Sequence, residues 1–143
     1  MSKNPLLKKL SIGSWIQLAH PAIAEIMASA GFDWLAVDLE HSSIDLRETE
    51  ELIRVIDLKG VVPLVRLSSN NPEQIKRIMD AGAHGVIVPM VNSKEDAQAA
   101  VSAVKYPPIG QRSIGLARAQ GYGARFLEYF DWQRDHSLVV VQI

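Results

Sequence analysis

Short runs of apolar and β-branched residues alternate along this chain with longer stretches whose apolar positions recur at helical spacing. That is how βαβ units are written when they build a parallel sheet. The apolar runs predict strands at 12–18, 34–38, 62–66, 86–88 and 138–143. Residues 22–30 are alanine-rich, with Pro21 suited to a first helical turn and Gly31 to a stop. A second helix is expected over 45–58, where Leu46, Leu52, Ile53 and Ile56 fall near one face and Lys59-Gly60 close it. The third is signalled by Asn71 as N-cap, Pro72 at the first helical position, the apolar set Ile75, Ile78 and Met79, and Gly82 just past its end. Ser93 followed by Asp96 resembles a capping box, with Asp in place of Glu, and opens a fourth helix through Val104.

After Tyr106-Pro107-Pro108 the rhythm breaks. Residues 109–137 exceed the two to six or so residues usual in a βα or αβ connection. Their aromatic part, 126–132, is expected to form a short helix covering a barrel end or meeting another subunit. No internal repeat or linker divides the chain, so one domain is expected over 1–143. The strand interiors are apolar on successive residues, which means both sheet faces are covered, as in a barrel or a doubly wound sheet. Neither G-x-G-x-x-G after the first strand nor G-x-x-x-x-G-K-[ST] occurs, which moves a (β/α)₈ barrel ahead of a nucleotide-binding fold.

Composition narrows the chemistry. With 143 residues, 48% hydrophobic and 22% charged, the chain is an ordinary globular size and balance. Its 15 basic and 16 acidic residues are interspersed, giving a formal charge of −1 and no basic field for nucleic acid or anionic lipid. There is no cysteine, hence no disulfide framework and no thiolate metal site. The first ten residues carry lysines without a signal peptide's apolar stretch, and the apolar runs are far shorter than the roughly 20 residues that span a bilayer. A cytoplasmic protein without membrane partners is expected.

In a (β/α)₈ barrel the chemistry gathers where the strands end, and here those ends are polar. The second strand runs into Asp38-Leu39-Glu40-His41, the third ends in Arg66 and the fifth contains Gln142. A carboxylate, an imidazole, a guanidinium and an amide at one mouth can deprotonate a carbon acid and hold the charge that results. Each has a plainer reading: His41 as a loop histidine, Arg66 as the partner of Glu40 or another surface acid, Asp38 and Glu40 as capping or ion-pairing groups. Only one of Asp38 and Glu40 is expected to face inward. His20, His84 and His136 are assigned structural or solvent roles, and no H-E-x-x-H spacing supports a histidine metal site.

Gly13-Ser14-Trp15, Ala24-Glu25-Ile26, Ala30-Gly31-Phe32-Asp33-Trp34 and Asp38-Leu39-Glu40-His41 resemble the opening of the HpcH/HpaI class II aldolases. Pro63-Leu64-Val65-Arg66, Asp80-Ala81-Gly82, Val88-Pro89-Met90-Val91, Tyr106-Pro107-Pro108, Ala117-Arg118-Ala119 and Val141-Gln142-Ile143 continue the likeness in order. The resemblance implies a (β/α)₈ barrel of which about five strands lie in this chain. It implies a lyase using Mg²⁺, Mn²⁺ or Co²⁺ to cleave 4-hydroxy-2-oxo acids to pyruvate and an aldehyde, in a homo-oligomer that is hexameric in the family. By the same resemblance His41 is the base, Asp80 raises its basicity, Arg66 stabilises the enolate and binds the pyruvyl group, and Gln142 touches substrate. Read locally, Asp80 is only a residue near the end of the third helix.

The resemblance also implies metal carboxylates on a Glu two residues after the glutamine and an Asp on the next strand. Ile143 falls one residue before the first of these, so no metal ligand is assigned within the chain and the chain by itself is expected to be inactive. Ser113 departs from the Gly usual after the loop arginine. Two other readings are kept: a non-catalytic half-barrel that assembles with another chain, and a citrate lyase β-type acyl-CoA lyase.

Overall fold

The computed structural model describes Leu6 and residues 10–143, so the expectation for the first ten residues falls almost wholly outside it. Five strands, β1 (Gly13–Ile16), β2 (Trp34–Asp38), β3 (Val62–Arg66), β4 (Gly85–Val88) and β5 (Leu138–Val141), form one parallel sheet in the order β1-β2-β3-β4-β5. Sequential order in a parallel sheet, each strand followed by a helical connection, is the winding of a (β/α) barrel. The first and fifth strands are shorter than expected: each extends only as far as its ladder with its one neighbour, β2 for β1 and β4 for β5.

The helices are α1 (Pro21–Ala28), α2 (Leu46–Leu58), α3 (Pro72–Ala81), α4 (Lys94–Val104) and α5 (Phe126–His136). Their ends follow from local chemistry. Asp45 is the N-cap of α2 and makes a full capping box with Glu48, each side chain bonding the other's backbone N–H at 2.8 Å. Asn71 caps α3 through Glu73 N and Gln74 N, and Gly82 ends it at φ 106°, a left-handed conformation in which any Cβ is strained. At α4 the box is incomplete: Ser93 Oγ accepts from Asp96 N, but Asp96 turns to the backbone N–H of Asn92. His20 is the N-cap of α1, its Nδ1 accepting from Ala22 N at 3.1 Å.

Two apolar layers lie on opposite faces of the sheet. Between sheet and helices, Leu35, Val37, Val65, Val86 and Val88 meet Leu52, Ile53, Ile56, Ile75, Ile78 and Met79. Full burial of such side chains stabilises the fold by roughly 1.5–3 kcal/mol each, and Ile53→Ala would remove about 2–5 kcal/mol. On the inner face Ala36, Val62, Leu64 and Ile87 pack with Trp34, Leu138 and Leu6. The long stretch before β5 is not a loop throughout. It holds a 3₁₀ turn at Arg118–Gln120 and α5, which runs four residues beyond the expected 126–132. Tyr129 and Trp132 of α5 bury against Tyr106 and Ala119 in a core of their own.

Candidate active site at the carboxyl ends of the strands

Strand periodicity selects what faces the mouth. Asp38 pairs with Arg66 in the register of β2 and β3, and Arg66 with Ile87 of β4. One residue past the register of β1 and β2, Gln17 lies beside Asp38. These side chains stand on the inner face, in the row above Ala36 and Leu64.

Asp38 organises this row. Its carboxylate is fully buried and accepts from Arg66 Nε (2.9 Å), Arg66 Nη2 (2.6 Å), Gln17 Nε2 (2.7 Å) and the backbone N–H groups of Glu40 (3.0 Å) and His41 (3.2 Å). The last two bonds shape the turn that carries His41, and Ser42 Oγ donates to the Asp38 carbonyl on the same turn. Burial by itself would raise the Asp38 carboxyl; the bonds from Arg66, Gln17 and the two amides outweigh it and hold the group far below the usual carboxylate range. Arg66 is fixed in turn, forked on Asp38 and stacked over Trp15, its guanidinium carbon 4.6 Å from the ring centroid. Its Nη1 has no partner among the described residues.

Glu40 also faces inward, 3.4 Å from Arg66 Nε and 3.7 Å from His41 Nε2. The expectation that only one of Asp38 and Glu40 points in is therefore corrected: Asp38 ends β2, Glu40 lies in the turn just beyond it, and both reach Arg66. The His41 side chain is 66% exposed.

Gln142 and Asp80 lie elsewhere. Gln142 follows β5 on the inner side of the mouth, two strands from Arg66 and so roughly 10 Å across the sheet. Its backbone is tied to Val88 O and Val91 N, each at 2.9 Å, and its buried Oε1 has no partner among the described residues. Asp80 is near the far end of α3, at 1.5 Å per residue roughly 12 Å along the helix from Pro72. No contact joins it to His41 among the described residues. It sits instead with Arg112 and Gln120; burial pushes its carboxyl up against the pull of those two groups, and its Oδ1 has no partner among the described residues. Arg112 lies nearby, its guanidinium carbon 4.1 Å from the Tyr106 centroid and its Nη2 donating to Tyr129 Oη at 3.0 Å.

A family model described as HpcH/HpaI aldolase/citrate lyase matches residues 11–143. The chain belongs to this family. It is 44% identical over 121 residues to a 2-dehydro-3,6-dideoxy-6-sulfogluconate aldolase of Pseudomonas putida, covering 82% of this chain and 48% of the relative. It is 41% identical over 134 residues to a 4-hydroxy-2-oxo-heptane-1,7-dioate aldolase of Salmonella typhimurium, covering 92% of this chain and 51% of that protein. The crystal structure of an HpcH/HpaI aldolase/citrate lyase family protein from Burkholderia cenocepacia superposes with a TM-score of 0.85 at 31% identity, over 93% of this chain and 55% of that one. The chain thus spans about half the length of the relatives it matches.

Membership of an aldolase family fits a mouth with a locked cation and an exposed imidazole, but a divalent ion needs more. Among the described residues no group of three His, Cys, Asp or Glu side chains could hold one. At the mouth both Asp38 oxygens are occupied by donors and Glu40 lies between Arg66 and His41, so these residues do not by themselves fit a metal. Two site residues escaped the sequence reading. Gln17 and Trp15 were absorbed into a predicted strand, and only the pairing of β1 with β2 sets them beside Asp38 and beneath Arg66. No helix among the described residues is long and apolar enough to cross a membrane.

Proposed function

We propose that this chain carries the substrate-holding part of a class II aldolase that reversibly cleaves 4-hydroxy-2-oxo acids to pyruvate and an aldehyde. The observation that supports the reading above all others is the Arg66 fork on Asp38, which sets a fixed cation, its Nη1 unpartnered among the described residues, beside the turn that bears His41. A carbon acid next to a carbonyl yields its proton to a neutral-range base only where the enolate oxygen meets positive charge. Arg66 supplies that charge and receives the 2-oxo acid's oxygens. His41 is the base, and Glu40 is the carboxylate beside it within one copy of the chain. Gln142 contacts the substrate from the β5 side. In the whole protein the reading includes a divalent cation on ligands other than these, a cytoplasmic location and a homo-oligomer.

The test is pyruvate release from 4-hydroxy-2-oxo acids with Mn²⁺ or Mg²⁺. It is run on this chain and on the chain joined after Ile143 to the remaining strands of an aldolase relative. Arg66→Lys cannot fork on Asp38 and His41→Ala has no base; each is expected to lower kcat/KM by roughly 10²-fold or more. A joined protein that is inactive, or active and indifferent to both substitutions, refutes the reading.

A further inference from the structure

The amide of Gln17 has a determined orientation. Its nitrogen lies 2.7 Å from Asp38 Oδ2. An ionised carboxylate can only accept, so the NH₂ group must face it and Oε1 must face away. Asp38 is kept ionised by its five donors, which makes this assignment a matter of chemistry. Gln17 is exposed at the open end of β1, and its Oε1 has no partner among the described residues. The mouth therefore offers two complementary groups on the two sides of Asp38: an acceptor-only oxygen from Gln17 and a donor from Arg66 Nη1. Gln17 Nε2 and Arg66 Nη2 share the same carboxylate oxygen, at 2.7 and 2.6 Å, so the two groups lie within the span of a molecule of a few carbons.

The geometry points to Gln17 as a specificity-determining residue whose Oε1 accepts a hydrogen bond from a hydroxyl of the substrate while Arg66 holds its anionic end. The preferred substrates are then 2-oxo acids that carry a hydroxyl close to the carbonyl, over their deoxy counterparts. This rests on the aldolase reading and adds to it the class of 2-oxo acid. The hydroxyl is what distinguishes them, because Arg66 treats both carboxylates alike. A neutral amide oxygen suits a neutral hydroxyl, whereas a carboxylate at this position would be repelled by Asp38. One hydrogen bond of this kind is worth about 1 kcal/mol, or roughly a fivefold preference.

The experiment is NMR titration of the chain with hydroxypyruvate and with pyruvate as probes, following the side-chain signals of Gln17 Nε2 and Arg66 Nε. Wild type is expected to bind hydroxypyruvate about fivefold more tightly, with Arg66 Nε shifting for both probes and Gln17 Nε2 for hydroxypyruvate above all. Gln17→Met, close in length and without polar atoms, is expected to equalise the two affinities. Gln17→Lys keeps a donor to Asp38 but has no acceptor, and is expected to lose the preference while retaining pyruvate. If both probes bind, Arg66→Met abolishes both, and the wild-type preference is absent or survives Gln17→Met, the inference is overturned and the aldolase reading stands. If Gln17→Met weakens both probes equally, Gln17 only positions Arg66, which also overturns it. If neither probe binds wild type, this mouth does not hold a 2-oxo acid in the way described and the inference is overturned, while the aldolase reading is decided separately by pyruvate release from the joined protein.

Discussion

Replacing Asp38 by Asn tests the organisation of the mouth with almost no change of shape. The wild-type carboxylate is buried and gathers five donors, two of them from Arg66. An Asn can keep its oxygen toward the backbone N–H groups of Glu40 and His41, but its NH₂ group must then oppose Arg66 Nη2, donor against donor, while Gln17 can turn its amide over and accept. Removing one partner of a buried ion pair costs about 3–5 kcal/mol. Arg66 recovers part of that by leaning toward Glu40, already 3.4 Å away, and its side chain is 15% exposed rather than sealed. A net loss of about 2–4 kcal/mol is expected, which for a chain of this size lowers Tm by roughly 10 °C.

The pH dependence has a definite sign. The folded-state value of Asp38 is depressed, so its stabilisation is fully present above the ordinary carboxylate range near ~4 and is lost as pH falls toward the folded value. The gap in Tm between wild type and Asp38→Asn, read by circular dichroism, should be constant above about pH 5 and shrink steadily below pH 4. A variant within 2 °C or so of wild type at pH 7, or a gap that does not narrow in acid, would refute the claim that this pair holds the mouth together.

Three further substitutions probe other parts of the argument. Gly13→Ala would place a Cβ 1.9 Å from the Trp34 ring, forcing the indole to move; a loss of about 1–3 kcal/mol or more by thermal melt, with altered tryptophan fluorescence, is expected. Lys105 Nζ reaches Gln133 O, Arg134 O and both oxygens of Ser137 at the end of α5, so Lys105→Met should loosen α5 and speed hydrogen exchange there. Burial lowers the Lys105 amine to about 8, so the folded state sheds its proton first and wild type should gain stability between about pH 8 and its unfolded value near ~10.4; a Lys105→Met variant that shows the same gain refutes the assignment. His41→Ala should leave Tm within about 1 °C, since the side chain is 66% exposed, while abolishing aldol cleavage in the joined protein.

Several features were legible in the residues alone because they depend on neighbours in sequence. The three helix starts at Asp45, Asn71 and Ser93 rest on side chains bonding backbone two or three residues away, and each lies within a residue of expectation. The central strands 34–38 and 62–66 were legible because each is a short apolar run closed by one charged residue, too short for a helix. The extent of α5 was not, since its apolar side bears Tyr129 and Trp132 among charged residues, and what buries them is Tyr106, far back in the chain.

At the mouth the division is similar. Asp38, Glu40, His41, Arg66 and Gln142 stood out as polar residues at the ends of apolar runs, a signal contained in the order of residues. Which of them meet is a question of register between strands, and register depends on packing across the sheet. The sequence by itself determined a parallel α/β sheet and a polar rim. Only the tertiary structure decided that Asp38 is the hub, that Arg66 bridges Asp38 and Glu40, that Gln17 and Trp15 belong to the site, and that Asp80 sits with Arg112 at the far end of α3. The physical reason is that each of those facts joins groups on separate strands or helices, and no local preference reaches across the sheet to set them.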